Sequence, residues 1–463
     1  MVIRRKTILK TKAFLVKIKL FFHPPDLTNY PFFLFTKPKL STVEQFNKNY
    51  HYSVFLFRKN VEVQLSNVKY FLNFFRNSLV IFKKNNPTTI TRNLGVKLDN
   101  NNSHGKKLLV IYIDGLSSFV NEESNILKYL MPKTHNFFSK SNIYENYYGI
   151  GEWTLPNYAS LMTGTLQNSH GYIYSAKKRN KANEKSTYPL VHEYLLEAGL
   201  ITNVISAVPY INPNFKFHFG TENFFFSKNM NSEGILDLFQ YSEAQFKNHN
   251  VTWLHFMDIH HKLRGASDLD YEPSSPLIDE LIINYRFSKK DAVNFATRAL
   301  ALDLSLAKLF KMDSTNEYEN VILVSDHGST RLNTDWGKCL DDARAKTTLM
   351  VKCRNQKKVV YVKELTTHLS FIEIVCKLLE LKIPTIKNKS LEDIVVIQSI
   401  YEGKPYRARI KGPGIDVNFV GSKSSGIKPY VNLIDIENLL NNSMLKSLSK
   451  VQQLNLKKLL LGG

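Results

Sequence analysis

The sequence predicts an α/β protein: a mostly parallel sheet flanked by helices. Three observations carry this. Four stretches, "LLVIYIDG" (108–115), "LITNVISA" (200–207), "VTWLHFMDIHH" (251–261) and "VILVSDHG" (321–328), are apolar runs of strand length, as expected of strands buried on both faces. Amphipathic helical sequences lie between and after them, and that alternation marks a parallel α/β sheet. Finally, three of the four runs end in acids or imidazoles: Asp114, then Asp258 with His260 and His261, then Asp326 with His327. Ligands of open α/β sheets bind beyond the carboxyl ends of the strands, so one rim would gather these groups.

The elements follow in chain order. Residues 1–105 read as a basic N-terminal extension or a small α/β domain. Within it "YSVFLF" (52–57), "VEVQL" (61–65) and "LVIF" (79–82) predict strands, and "NVKYFLNFFRNS" (67–78) predicts a helix. "KLDNNNSHGKK" (97–107) is a polar linker. The core domain spans 106–400. Its first strand leads to "GEWTLPNYASLMTG" (151–164), a loop entering a helix at Thr154, with Pro156 in the first turn and Gly164 as a left-handed stop. "PLVHEYLLEAG" (189–199) predicts an amphipathic helix closed by Gly199. The period of "KKDAVNFATRALALDLSLAKLFKM" (289–312) requires a long helix, and "LTTHLSFIEIVCKLLEL" (365–381) predicts another. Residues 401–463 form a C-terminal subdomain: a short antiparallel appendage around "SIYEGKPYRARIKGPGIDVNFV", then a basic helix. No internal repeat is present.

The chain has 463 residues, with 62 basic and 40 acidic side chains and a formal charge of +22. Such an excess favours anionic partners. No nucleic-acid recognition motif accompanies the charge, so nucleic acid is not expected. Cys339, Cys353 and Cys376 show neither metal-ligand spacing nor a disulfide framework, which fits free thiols in a reducing compartment. Lys10, Lys12, Lys17 and Lys19 interrupt any signal-peptide core, and no apolar run reaches the length of about 18 residues that a membrane span needs. The expected location is the cytoplasm, with peripheral contact at the inner face of the membrane.

Asp114, Asp326 and His327, with the hydroxyl of Thr154, compose a cation site. An oxygen-rich set with one imidazole suits one divalent ion, Ca²⁺, Mg²⁺ or Mn²⁺, and Zn²⁺ less obviously. Threonine caps helices routinely, yet at a helix mouth beside a cation its alcohol also becomes a nucleophile. Strand alternation puts His260 on the same side as Asp258, which assigns it to proton transfer or substrate contact, at a reference pKa suited to neutral pH. His261 would point the other way. Lys338 and Arg344 follow the last ligands closely. They either neutralise a transferring anionic group or belong to a solvated basic loop. Asp303, inside the long helix, reads as a structural hydrogen-bonding group or a solvent-facing one.

The ordered set "IYIDGLS", "GEWTLPNYASLMTG", "SHGY", "FMDIHHKL" and "SDHG" resembles the alkaline phosphatase superfamily, closest to its sulfatase-like hydrolase/transferase branch of the bacterial surface-polysaccharide type. The resemblance covers about 106–400 and implies a metal-centred α/β fold that moves sulfuryl or phosphoryl groups through a covalent enzyme intermediate. It assigns Asp114, Asp326 and His327 as metal ligands, Thr154 as nucleophile, and His260 as the histidine beside the substrate, although the proline of that segment is absent. His170 falls in the "HG" motif after the nucleophile helix and is either a substrate contact or a loop-packing residue. True sulfatases carry Cys or Ser followed by x-Pro-x-Arg, which permits oxidation to formylglycine. This chain has Thr154-Leu155-Pro156-Asn157-Tyr158, so no formylglycine is expected and phospho-esters become the better substrates. Two-metal relatives use a second Asp/His/His set, for which Asp258, His261 and His368 are candidates, but the spacing differs and one metal is favoured. The implied partner is an anionic glycan or a lipid-linked phospho-donor. The alternative is a catalytically degenerate member that binds an acidic glycan or a protein.

Overall fold

The structure is a computed structural model. It describes strands within 33–90 and residues 106–120, 125–172, 188–211, 215, 217–226, 230–245, 249–260, 273–328, 340–384, 393–400, 405–423 and 433–461. Cys339, His261 and Lys338 lie outside the described residues. No helix among the described residues is long and apolar enough to cross a membrane.

In chain order, six short strands come first: β1 (Phe33–Phe35), β2 (Tyr52–Phe57), β3 (Val61–Leu65), β4 (Val68–Leu72), β5 (Ser78–Lys83) and β6 (Pro87–Ile90). Then follow β7 (Leu108–Ile113), helix α1 (Pro132–Phe137), β8 (Asn142–Tyr144), β9 (Tyr147–Tyr148) and helix α2 (Thr154–Thr163). Helix α3 (Val191–Glu197), β10 (Thr202–Ser206), β11 (Asn223–Phe226), helix α4 (Ser232–Gln245) and β12 (Val251–Phe256) come next. Helices α5 (Ser275–Tyr285) and α6 (Lys289–Leu309) precede β13 (Asn320–Val324), helix α7 (Asp342–Ala345), β14 (Leu349–Cys353), β15 (Val360–Val362), β16 (Thr366–Thr367) and helix α8 (Phe371–Leu378). The chain closes with β17 (Val395–Ser399), β18 (Pro405–Gly412), β19 (Ile415–Lys423) and helices α9 (Leu433–Leu440) and α10 (Lys450–Leu461).

Two compact units emerge: Met1–Gly105 with His192–Phe256, and Lys106–Val191 with Met257–Gly463. In the first, β10 lies parallel to β11 and β12, and β1 pairs antiparallel with β11. The predicted helix over 67–78 is not formed. β4 occupies its first part and pairs antiparallel with β3, which also pairs with β6. "VKYFL" carries a β-branched residue and two aromatics, and such side chains favour a pleated strand over a helix. The strand predicted over 251–261 is also shorter: β12 ends at Phe256, and His260 N donates to Met257 O at 3.1 Å in a turn.

The second unit carries every described candidate site residue. β7 and β13 run parallel, with Tyr112 opposite Val324; β13–β14 and β14–β8 are antiparallel, and β8–β15 is parallel. Every residue of β7 and β13 is buried, which accounts for their unbroken apolar sequences. Continuing the β7–β13 register by two residues brings Asp326 level with Asp114. The C-terminal sheet has order β17-β18-β19 and is antiparallel throughout. Its core includes Val396, Ala408, Ile410 and Val417, closed by Leu456 and Leu460 of α10 and by Ile150 and Leu166 from either side of the α2 segment. The whole is thus an α/β architecture with a small antiparallel sheet at the C-terminus.

Candidate active site

Trp153 is extended and Thr154 is the first residue of α2. The Thr154 side chain makes no cap. Its Oγ1 lies 3.2 Å from Asp114 Oδ2, to which it donates, and 3.3 Å from His327 Nε2. The far end of α2 is closed by Gly164 at φ 65°, whose N–H reaches Ser160 O at 2.8 Å, as glycine at a left-handed stop should.

The loop before α2 is held by Asn157. Its Oδ1 accepts from Ile150 N (2.9 Å) and Gly151 N (2.8 Å), while Nδ2 donates to Gly151 O (2.9 Å) and Trp153 O (3.2 Å). Sequence reasoning missed this residue. The C-terminal sheet grips the same loop: Gln398 N donates to Ile150 O at 2.9 Å, and Ser399 Oγ donates to Glu152 Oε2 at 2.8 Å.

His327 Nδ1 lies 2.9 Å from Gly328 O. A carbonyl can only accept, so Nδ1 carries the proton and the neutral ring turns the lone pair of Nε2 into the site. That lone pair faces Asp326 Oδ2 at 3.2 Å and Asp114 Oδ1 at 3.8 Å. Asp326 is oriented through Oδ1, which accepts from Gly115 N at 3.0 Å. Asp114 Oδ1 and Asp326 Oδ2 are buried and have no hydrogen-bond donor among the described residues. Burial, then the charge of Asp326, holds the Asp114 carboxyl well above the usual carboxylate range, and burial holds the His327 imidazole well below the usual histidine range. Two of these buried acceptor atoms thus have no donor among the described residues, and a cluster of this kind can hold a cation.

His260 approaches the same point from the turn after β12. Its Nε2 lies 3.8 Å from Asp114 Oδ1, and its ring centroid lies 6.1 Å from that of His327. Asp114, His260 and His327 each offer one ligand atom, all within 4.8 Å of one another, and this is the one such group of three among the described residues. It includes neither Asp326, which stands beside His327, nor Asp258 nor His368. Thr154, Asp114, Asp326, His327 and His260 are thus brought together.

The other predicted residues face elsewhere. His170 accepts from Tyr172 N on Nδ1 (3.0 Å), so its Nε2 carries the proton toward Ser160 Oγ (2.8 Å), and burial lowers its pKa to about 3. Both of its nitrogens are used within the fold. His368 Nε2 donates to Ser325 O at 3.1 Å, just before Asp326, and burial lowers its pKa to about 4. Arg344 spends Nε on Glu152 O (2.8 Å) and one terminal nitrogen on Gly328 O (2.5 Å). These carbonyls flank the Thr154 segment and His327.

No known family pattern matches the sequence, and no curated protein does. Solved structures do match. The lipoteichoic acid synthase LtaP from Listeria monocytogenes is 12% identical over 78% of this chain and 93% of its own, with a TM-score of 0.51. A phosphonate monoester hydrolase from Silicibacter pomeroyi is 11% identical over 76% of this chain and 94% of its own, with a TM-score of 0.50. A 2-O GAG sulfatase is 12% identical over 68% of this chain and 83% of its own, also at 0.50. The chain shares the fold of these structures. In this fold the rim beyond β7 and β13 is where Thr154 and its acidic neighbours stand.

Proposed function

We propose that the chain is a divalent-metal-dependent hydrolase or transferase of phospho-esters, or of sulfo-esters, that works through a covalent Thr154 intermediate. The observation that carries this is the Thr154 hydroxyl, freed from capping and set against Asp114 and His327 at a helix N-terminus. Asp114, Asp326, His327 and Thr154 would hold the ion, with His260 within reach of the same point. The two carboxylate oxygens that lack donors fit such an ion. When bound, it supplies charge stabilisation to the transferring oxygens and to the threonine oxygen.

In the first step Thr154 Oγ forms a bond to phosphorus as its proton passes to Asp114 Oδ2, and the bond to the leaving oxygen breaks. His260, whose side chain is 27% exposed, gives that oxygen a proton. In the second step a water or sugar hydroxyl attacks phosphorus, His260 takes its proton, and Thr154 Oγ leaves with the proton held by Asp114. The N-terminus of α2 favours negative charge on Oγ throughout. The formal charge of +22 supports an anionic donor, either a glycan or a lipid-linked phosphate, and a cytoplasmic position against the membrane. The shared fold with an ester hydrolase and a lipoteichoic acid synthase supports the reaction class and a surface glycan as acceptor.

The test is turnover of bis(p-nitrophenyl) phosphate and p-nitrophenyl sulfate after chelation and re-addition of Ca²⁺, Mg²⁺, Mn²⁺ or Zn²⁺. Thr154→Ala is expected to lower kcat by at least about 10³-fold with unfolding unchanged. Turnover that survives Thr154→Ala removes the nucleophile. Wild-type protein inert with every ion points to a binding protein on this fold.

A further inference from the structure

The short helix α7 stands between the C-terminal sheet and the active site. On the side of the site, its backbone lies directly on the residue after His327. Gly328 N donates to Arg344 O at 2.7 Å, and a Cβ on Gly328 would come within 2.1 Å of Ala343 O. Only glycine permits that approach. The Arg344 guanidinium then joins Glu152 O, two residues before Thr154, to Gly328 O. One planar group therefore ties the segment carrying the hydroxyl to the segment carrying the imidazole.

On the other side, α7 is held by strand β18. Asp342 Oδ1 accepts from a terminal nitrogen of Arg409 at 2.7 Å, and its Oδ2 accepts from Lys411 Nζ at 2.6 Å. Arg409 is 8% exposed. It also donates to Leu340 O at 2.9 Å and binds Asp416 through two bonds of 2.7 and 2.6 Å. Such a fork is geometrically stiff. The Lys411 ammonium lies 5.1 Å from the centroid of the Tyr148 ring, one residue before Gly149. Both of these bonds from Arg344 go to carbonyls, so through them it acts on the backbone.

We propose that Arg344 is a positioning residue, and that the Arg409–Asp342 pair is the brace by which the C-terminal sheet holds it in register with Thr154 and His327. This rests on the reading of the reaction given above. It replaces a substrate-binding role for Arg344 with a geometric one.

The test is a double-mutant cycle on the full chain with two readouts: steady-state kinetics on bis(p-nitrophenyl) phosphate, and Mn²⁺ affinity by calorimetry. Displacing reacting groups by about 1 Å costs on the order of 10²-fold in rate. Arg344→Ala is therefore expected to lower kcat by about that factor while KM moves less than about 3-fold, and to weaken Mn²⁺ binding. Arg344→Lys keeps the charge but cannot span both carbonyls, and is expected not to restore kcat. Asp342→Asn is expected to lower kcat by about 10-fold alone and to add nothing in the Arg344→Ala background. A selective rise in KM, rescue by lysine, or additive losses would overturn the proposal. An inert wild type whose Mn²⁺ affinity still depends on Arg344 would overturn the reaction and leave the brace standing. Kinetics and Mn²⁺ affinity that both ignore Arg344→Ala would overturn the brace itself.

Discussion

Asn157 spends its whole side chain on three residues of one loop, at 2.8–3.2 Å. Truncation would leave two buried backbone amides without acceptors. Asn157→Ala is expected to cost about 3 kcal/mol in urea unfolding, with Asn157→Asp intermediate because it keeps the acceptors; a loss below about 1 kcal/mol would dismiss the role. No local pattern exposes this residue, because its partners are backbone groups. The gathering of Asp114, Asp326 and His327 at one rim was legible for the opposite reason. Asp114 follows buried β7 directly, and Asp326 and His327 come within three residues of the end of buried β13, where polar groups stand out against the apolar run. His260 was legible as a group but not by the geometry used to choose it. Strand alternation has no force beyond Phe256, and the turn after it carries the ring toward Asp114.

Among the elements, α6 shows how a buried acid can serve an adjoining helix. Asp303 accepts from Lys133 N (2.9 Å), Thr134 N (2.7 Å) and Thr134 Oγ1 (2.7 Å), capping the start of α1 from outside its own sequence. Of the two readings the sequence allowed for Asp303, a structural hydrogen-bonding group or a solvent-facing one, the first agrees with this. Asp303→Ala is expected to cost about 2 kcal/mol and Asp303→Asn less. Equal losses, measured by thermal unfolding, would mean that the acceptor oxygens are not what matters. The long 3.6-residue period made α6 plain, and two-sided burial made β7 and β13 plain. The 67–78 stretch was ambiguous, since its apolar residues fit either period and only pairing with β3 decides between them.

For the molecule as a whole, buried histidines set the response to acid. Burial lowers His170 and His192 to about 3 and His368 to about 4. The unfolded chain protonates these rings below about pH 6.5, while the fold excludes the proton. Stability is therefore complete above that pH and falls as acid is added down to the folded values, by about 1 kcal/mol per pH unit for each ring. Melting temperature measured from pH 7.5 to 4.5 checks this, and a flat profile would contradict it. Asp114 has the opposite sign. Its folded value is raised, so the stability it contributes is present in acid and lost as pH rises. On the proposed function, a bound cation would offset that loss. Millimolar Mn²⁺ at pH 7.5 is expected to raise the melting temperature by about 2 °C or more, reversibly with chelator; no shift would remove the ion from the site.

The hydrogen bond from Ser399 to Glu152 spans 247 positions of the chain. Read as a matter of time, this orders the protein's birth. A ribosome adding about 5–20 residues per second makes Glu152 roughly 12–50 s before its partner exists. The threonine is therefore made long before the support of its loop, and a nascent chain cannot brace that loop until the strand ending at Ser399 emerges.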